Sequence, residues 1–148
     1  RESWRADRMA ANEPKVLLVE DDRFLRKAAE ATLRQGGFTV LLAADGEEAL
    51  RVARADGPDL ILLDVIMPKI QGFEVLTALK ADPSTAPIPV IMLSNLGQEE
   101  DLRRAMDGGA AGYLVKANVS LQSLVRQVKE TLARGGSGEA PAPGHPAV

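Results

Sequence analysis

Leu60-Ile61-Leu62-Leu63 is apolar at every position, with Gly57-Pro58 ahead of it and Pro68 behind it. A strand with one wet face alternates apolar and polar residues, whereas a short continuous apolar run between turn signals reads as a strand buried on both faces. Such strands belong to parallel sheets covered by helices above and below. The run closes on Asp64. The carboxyl ends of strands are where an open parallel sheet places its ligands, so an acid there is expected to do more than cap the loop that Pro68 and Gly72 mark.

The rest of the chain repeats the theme. Lys15 to Val19 is an apolar run closed by Glu20-Asp21-Asp22. Asp22 suits an N-cap, and Phe24, Leu25, Ala28, Ala29, Thr32 and Leu33 follow at helical spacing until Gly36-Gly37. Phe38 to Ala43 is a second strand, and Asp45 with Glu48 opens a second helix in the manner of a capping box. After Leu60 to Leu63, Phe73, Val75, Leu76 and Leu79 make a third helix ended by Asp82-Pro83. Val90 to Leu93 is a fourth strand closing on Ser94-Asn95. Gln98 to Asp107 is a charged fourth helix stopped by Gly108-Gly109. Gly112 to Val115 is a fifth strand, followed at once by Lys116, and Ser120 caps a fifth helix carrying Leu121, Leu124, Val125, Val128 and Leu132. From Gly135 the composition shifts to Gly, Ser, Pro and Ala, as in a linker.

The division expected is therefore a flexible segment over 1–13, one folded domain over 14–134, and a disordered tail or linker over 135–148. The 148 residues suffice for a full core. The absence of cysteine fits a reducing compartment, and a cytoplasmic location is expected. No apolar run reaches the length of a membrane span, and a net charge of −3 argues against direct nucleic-acid binding. The amino end lacks the apolar core of a signal peptide. Met9 is a candidate start, which leaves the origin of residues 1–8 open. Trp4 and His145, in the two end segments, are expected to have no role.

Strands alternating with helices imply an α/β domain, a doubly wound five-stranded parallel sheet with helices on both faces; the flavodoxin-like order 2-1-3-4-5 known for such folds is adopted for it. In that order the acids after strand one lie beside Asp64, and Ser94 and Lys116 line the same edge. Carboxylates so close repel unless a cation or proton intervenes. An oxygen-only donor set favours magnesium, with Asp21, Asp64 and the Ile66 backbone carbonyl as ligands and Glu20 acting through metal-bound water. A carboxylate can also attack phosphorus, and phosphoryl transfer asks mainly for positioning and charge neutralisation. Magnesium and Lys116 would each neutralise one phosphoryl oxygen and the Ser94 hydroxyl would hydrogen-bond a third. Taken singly, a lysine after a strand is usually solvated and a serine usually a cap; the joint placement carries the reading.

Val16-Leu17-Leu18-Val19-Glu20-Asp21-Asp22, Leu63-Asp64-Val65-Ile66-Met67-Pro68 with Gly72, Val90-Ile91-Met92-Leu93-Ser94 and Gly112-Tyr113-Leu114-Val115-Lys116 together resemble the receiver domain of two-component response regulators, chemotaxis regulators included. The resemblance runs from about Lys15 to Ala133. It implies that Asp64 is the phosphoacceptor, charged by a sensor histidine kinase, a phosphotransfer protein or a small phosphodonor. It implies that Asp21 and Glu20 are the metal-site acids, Ser94 the switch hydroxyl, Lys116 the phosphoryl-binding lysine, and Tyr113 the aromatic that turns inward with the switch. The surface of helix four, strand five and helix five is then the one that partners read. The residues two past the phosphoacceptor and two past the switch hydroxyl tune dephosphorylation in this family; here they are Ile66 and Leu96, both apolar, so a long-lived phosphoryl group is expected. Family members carry proline after the lysine, where this chain has Ala117. A non-proline cis bond costs about 3 kcal/mol, so a trans bond is expected there.

The expected function is thus a phosphorylation switch rather than an enzyme, acting on a downstream protein or output domain, stand-alone or within a longer regulator. Relatives pair through the same surface, so a homodimer is one expected state. Two other readings compete: a receiver-like interaction module that takes no phosphate, and a magnesium-dependent phosphatase with an Asp nucleophile. The second lacks the neighbouring acid that proton transfer requires, since Val65 and Ile66 follow Asp64. Arg23, Arg26 and Lys27 are read as a solvated face, with kinase recognition as the runner-up.

Overall fold

The computed structural model describes residues 13–67, 69–95 and 99–134. The expectations for the two end segments, including Trp4, Met9 and His145, and those for Pro68, Leu96 and Gln98, lie outside the described residues.

Five parallel strands, β1 (Lys15–Val19), β2 (Thr39–Ala43), β3 (Leu60–Asp64), β4 (Val90–Ser94) and β5 (Gly112–Val115), form one sheet in the order β2-β1-β3-β4-β5. The helices are α1 (Arg23–Gln35), α2 (Gly46–Asp56), α3 (Gly72–Ala81), α4 (Glu99–Asp107) and α5 (Leu121–Ala133). The layering is the one that the alternation of elements predicts, because each crossover helix must cover one apolar face of the sheet, and the order is the flavodoxin-like one adopted for it.

The strand pleat divides the core in two. Leu17, Val19, Ile61, Leu63, Val90, Met92 and Tyr113 face one way, against Ala49 and Ala53 of α2, Phe73, Val75, Leu76 and Leu79 of α3, and Ala105 of α4. Val16, Leu18, Leu60, Leu62, Ile91, Leu93 and Leu114 face the other way, against Ala29 and Leu33 of α1 and Leu124 and Val128 of α5. All five residues of β3 are buried, Asp64 among them.

Helix starts follow the caps expected of the sequence. Asp22 accepts from Leu25 N at 3.0 Å, Asp45 from Glu48 N at 2.9 Å, and Ser120 from Ser123 N at 3.0 Å. Three boundaries differ. Phe38 precedes β2 because its N–H closes the end of α1 on the Leu33 carbonyl at 3.1 Å. Gly72 begins α3 rather than lying in the loop. A single 3-10 turn, Lys116–Asn118, separates β5 from α5. None of the described helices is long and apolar enough to cross a membrane.

Candidate functional site

β1 and β3 are neighbours, with Val19 opposite Leu63, so the acids that follow β1 meet the acid that ends β3. Glu20, Asp21 and Asp64 each bring a carboxylate oxygen within 4.8 Å of the others. Glu20 and Asp64 are buried, at 2% and 5% exposure, while Asp21 is open to solvent. Two buried carboxylates side by side stay ionised together only with a positive charge between them. Lys116 supplies it from the end of β5. Its Nζ donates to Glu20 Oε1 at 2.7 Å and to Asp64 Oδ2 at 2.9 Å. The Lys116–Ala117 bond is trans, as expected, and the lysine reaches both acids from the start of the 3-10 turn that follows β5.

The charges respond as this packing dictates. Burial pushes the Glu20 carboxyl above its ordinary value of 4.5; the Asp64 charge acts in the same sense, and the Lys116 and Asp22 hydrogen bonds only partly oppose it. For Lys116, burial favours the neutral amine, but the hydrogen bonds and charges of Glu20 and Asp64 outweigh it and hold the ammonium above the ordinary lysine value.

The surrounding main chain is tightly ordered. Asp22 N donates to Glu20 Oε2 at 3.1 Å, Ile66 N to Asp64 Oδ1 at 3.2 Å, and Gly72 N to Val65 O at 2.8 Å. Gly72 lies so close beneath Asp64 that an added Cβ would stand 2.3 Å from the Asp64 carbonyl oxygen. Only glycine fits this approach. Ile66 itself is exposed at 59%, an apolar side chain beside the acids.

Ser94 ends β4 opposite Val115 and is buried at 1% exposure. Tyr113 lies on β5 opposite Met92, two residues before Ser94 on β4, so both side chains face the same side of the sheet, and it is buried at 3%. Burial raises the Tyr113 phenol above its usual pKa, the Ser94 hydroxyl opposes this, and the Asp101 charge on α4 adds to it. Arg26 departs from the solvated face read for it. It is half-buried and donates from Nη1 to the Glu20 carbonyl at 2.9 Å. Nothing in the helical spacing of α1 points to this, because the acceptor is a main-chain atom of another element.

The donor set suits magnesium: clustered carboxylate oxygens, no imidazole or thiolate among them, and one acid exposed to exchange with water. Chemically, the edge offers a carboxylate held by defined hydrogen bonds, a neighbouring ammonium, and two further acids.

The profile of the family described as response regulator receiver domain matches residues 16–129. The gliding motility regulatory protein of Myxococcus xanthus is 43% identical over 119 residues, 80% of this chain and 15% of that protein. The transcriptional regulatory protein PrrA of Mycobacterium tuberculosis is 44% identical over 124 residues, 84% of this chain and 52% of that protein. This chain therefore spans about half or less of the length of these curated relatives. Among solved structures, the receiver domain of Francisella response regulator 1452 superposes with a TM-score of 0.76 at 30% identity, covering 82% of this chain and 98% of that one. Vibrio cholerae chemotaxis protein CheY4 gives 0.74 at 33% identity, over 79% and 97%.

Proposed function

This chain belongs to the response regulator receiver domain family, and on that premise we propose that it is a phosphorylation switch whose phosphoacceptor is Asp64. The observation that carries the reading is the Lys116 ammonium, which reaches Asp64 and Glu20 from the far strand of the sheet. An Asp64 oxygen attacks the phosphorus of a phosphohistidine, on a sensor kinase or phosphotransfer protein, or of a small acyl phosphate. The P–O bond to Asp64 forms as the bond to the donor breaks, and the donor leaves with that electron pair. Asp21, Asp64 and the Ile66 carbonyl would hold magnesium, with Glu20 behind a bound water. When bound, the ion supplies charge neutralisation to the phosphoryl group. Lys116 is placed to exchange a carboxylate for a phosphoryl oxygen.

Ser94 is expected to turn its hydroxyl toward the phosphoryl group. Ser94 and Tyr113 are buried on adjacent strands with their side chains on the same side of the sheet, so that movement would reset the aromatic ring and, through it, the α4, β5 and α5 surface that a partner, an output domain or a second copy reads. A ligand shifts such an equilibrium only by binding one state better, and the phosphoryl contacts provide that difference. Ile66 offers no polar atom on its side chain to an attacking water, and Leu96 has the same chemistry, so the phosphoryl group is expected to persist. We place the protein in the cytoplasm, where its kinase partner would act.

The test is incubation with magnesium and acetyl phosphate, followed by intact mass, for wild type and Asp64→Asn. One phosphoryl adduct, lost in the variant, supports the switch. No adduct in the wild type removes it in favour of a phosphate-independent interaction module, and continuous turnover of a phosphomonoester would indicate a phosphatase.

A further inference from the structure

The turn from Glu20 to Asp22 must place two carboxylates against a third, yet it lies past the end of the sheet ladder. Glu20 N still pairs with Ala43 O at 3.1 Å. β2 and its pairing with β1 end at Ala43, before the ladder returns an amide to the Glu20 carbonyl. The carbonyl of Glu20 therefore has to find its partner elsewhere. A main-chain carbonyl of a buried residue is costly to leave unpaired, and a charged donor makes the stronger bond. Arg26 Nη1 fills this role at 2.9 Å.

The grip has consequences for Asp21. The Glu20 carbonyl belongs to the peptide plane that joins Glu20 to Asp21, so holding that oxygen sets the direction in which Asp21 leaves the strand. The other side of the turn is held by Asp22 N on Glu20 Oε2 at 3.1 Å, and Arg26 N closes α1 on Asp22 O at 2.9 Å. Arg26 thus ties the first turn of α1 to the acids by both its main chain and its side chain. Because the guanidinium bonds the main chain, it adds positive charge beside the acids while leaving their carboxylate oxygens available.

We infer that Arg26 is a positioning residue for the cation site: its bond to the Glu20 carbonyl presets Asp21 and Glu20 for a divalent ion before the ion arrives. The inference rests on the magnesium reading of the site. Residues that orient metal ligands typically change affinity by about 10–100-fold when removed.

The test is calorimetric titration of magnesium chloride into the metal-free protein, wild type first, so that failure of the metal reading is told apart from failure of this one. Arg26→Ala is expected to weaken binding about tenfold and to speed amide exchange at Asp22 in the metal-free protein. Arg26→Lys, which keeps charge but loses the planar fork, is expected to fall between. Arg23→Ala, which removes the same charge from an exposed position, is expected to stay within about twofold, as screening implies. Thermal melts establish that each variant is folded, and Arg26→Gln stands in if Arg26→Ala is not. Binding by Arg26→Ala equal to wild type, or an equal loss in Arg23→Ala, overturns the inference. Absence of magnesium binding by the wild type overturns it together with the metal reading.

Discussion

Replacing Lys116 with Met removes the charge between Glu20 and Asp64 while keeping most of the side-chain volume. The ammonium lies 2.7 Å and 2.9 Å from the two carboxylates, whose side chains are 2% and 7% exposed. Deleting one member of a buried ion pair costs about 3–5 kcal/mol, because the partner charge stays behind without water. Two effects pull the expectation to the low end, about 3 kcal/mol: the lysine's own burial cost disappears, and Glu20 can take up a proton. A loss of that size lowers the Tm of a domain this large by roughly 10 °C.

The sign of the pH dependence follows from Glu20. Its folded-state pKa lies above the ordinary 4.5. Between those two values the folded protein keeps a proton that the unfolded chain has lost, so stability falls as pH rises through the window. Loss of Lys116 extends the window upward, and the variant's deficit should be largest at pH 8 and shrink toward pH 5. Magnesium, binding only the folded state, should recover part of it. Urea unfolding of wild type and variant at both pH values, with and without magnesium, measures all three quantities. A deficit under about 1 kcal/mol at pH 8, the scale of a surface pair, or one equal at both pH values, would refute the view that Lys116 neutralises a buried acid pair.

Gly72→Ala sets a Cβ 2.3 Å from the Asp64 carbonyl; overpacking of this kind costs about 1–3 kcal/mol, and both urea stability and the yield of the acetyl phosphate adduct are expected to fall. Ile66→Asn, alone or with Leu96→Glu, should speed decay of the adduct by up to about tenfold, the scale of one hydrogen bond gained by the attacking water; an unchanged decay in a time-resolved mass measurement removes that account of lifetime. The hydrogen bond from Glu48 N holds the Asp45 carboxyl below its ordinary 3.8, and Lys69 assists. Its contribution to stability is therefore complete above 3.8 and lost as pH falls through the lower folded value. Asp45→Asn should flatten this part of the acid-unfolding curve.

Much of this protein was legible in local pattern. The apolar runs, the helical spacing and the caps at Asp22, Asp45 and Ser120 depend on residues near one another in the chain, and they give a parallel sheet covered by helices; the strand order came from likeness to a known fold rather than from the pattern itself. Asp64, Glu20 and Asp21 were visible for the same reason, as acids closing apolar strands. What the tertiary structure alone decided are contacts whose partners lie far apart in sequence or on the main chain. Lys116 joins Asp64 and Glu20 across 52 and 96 residues. Whether one side chain spans both acids depends on strand register and on the turn after β5, neither of which a linear pattern records. Arg26 occupies a helix position indistinguishable by spacing from its solvated neighbours, and only the end of the β2 ladder leaves a carbonyl for it to hold. Gly72 reads as a loop glycine until the backbone of Asp64 is seen against it. Periodicity reports which face of an element is buried; the meeting of particular atoms at the sheet edge is set by how all five strands pack together.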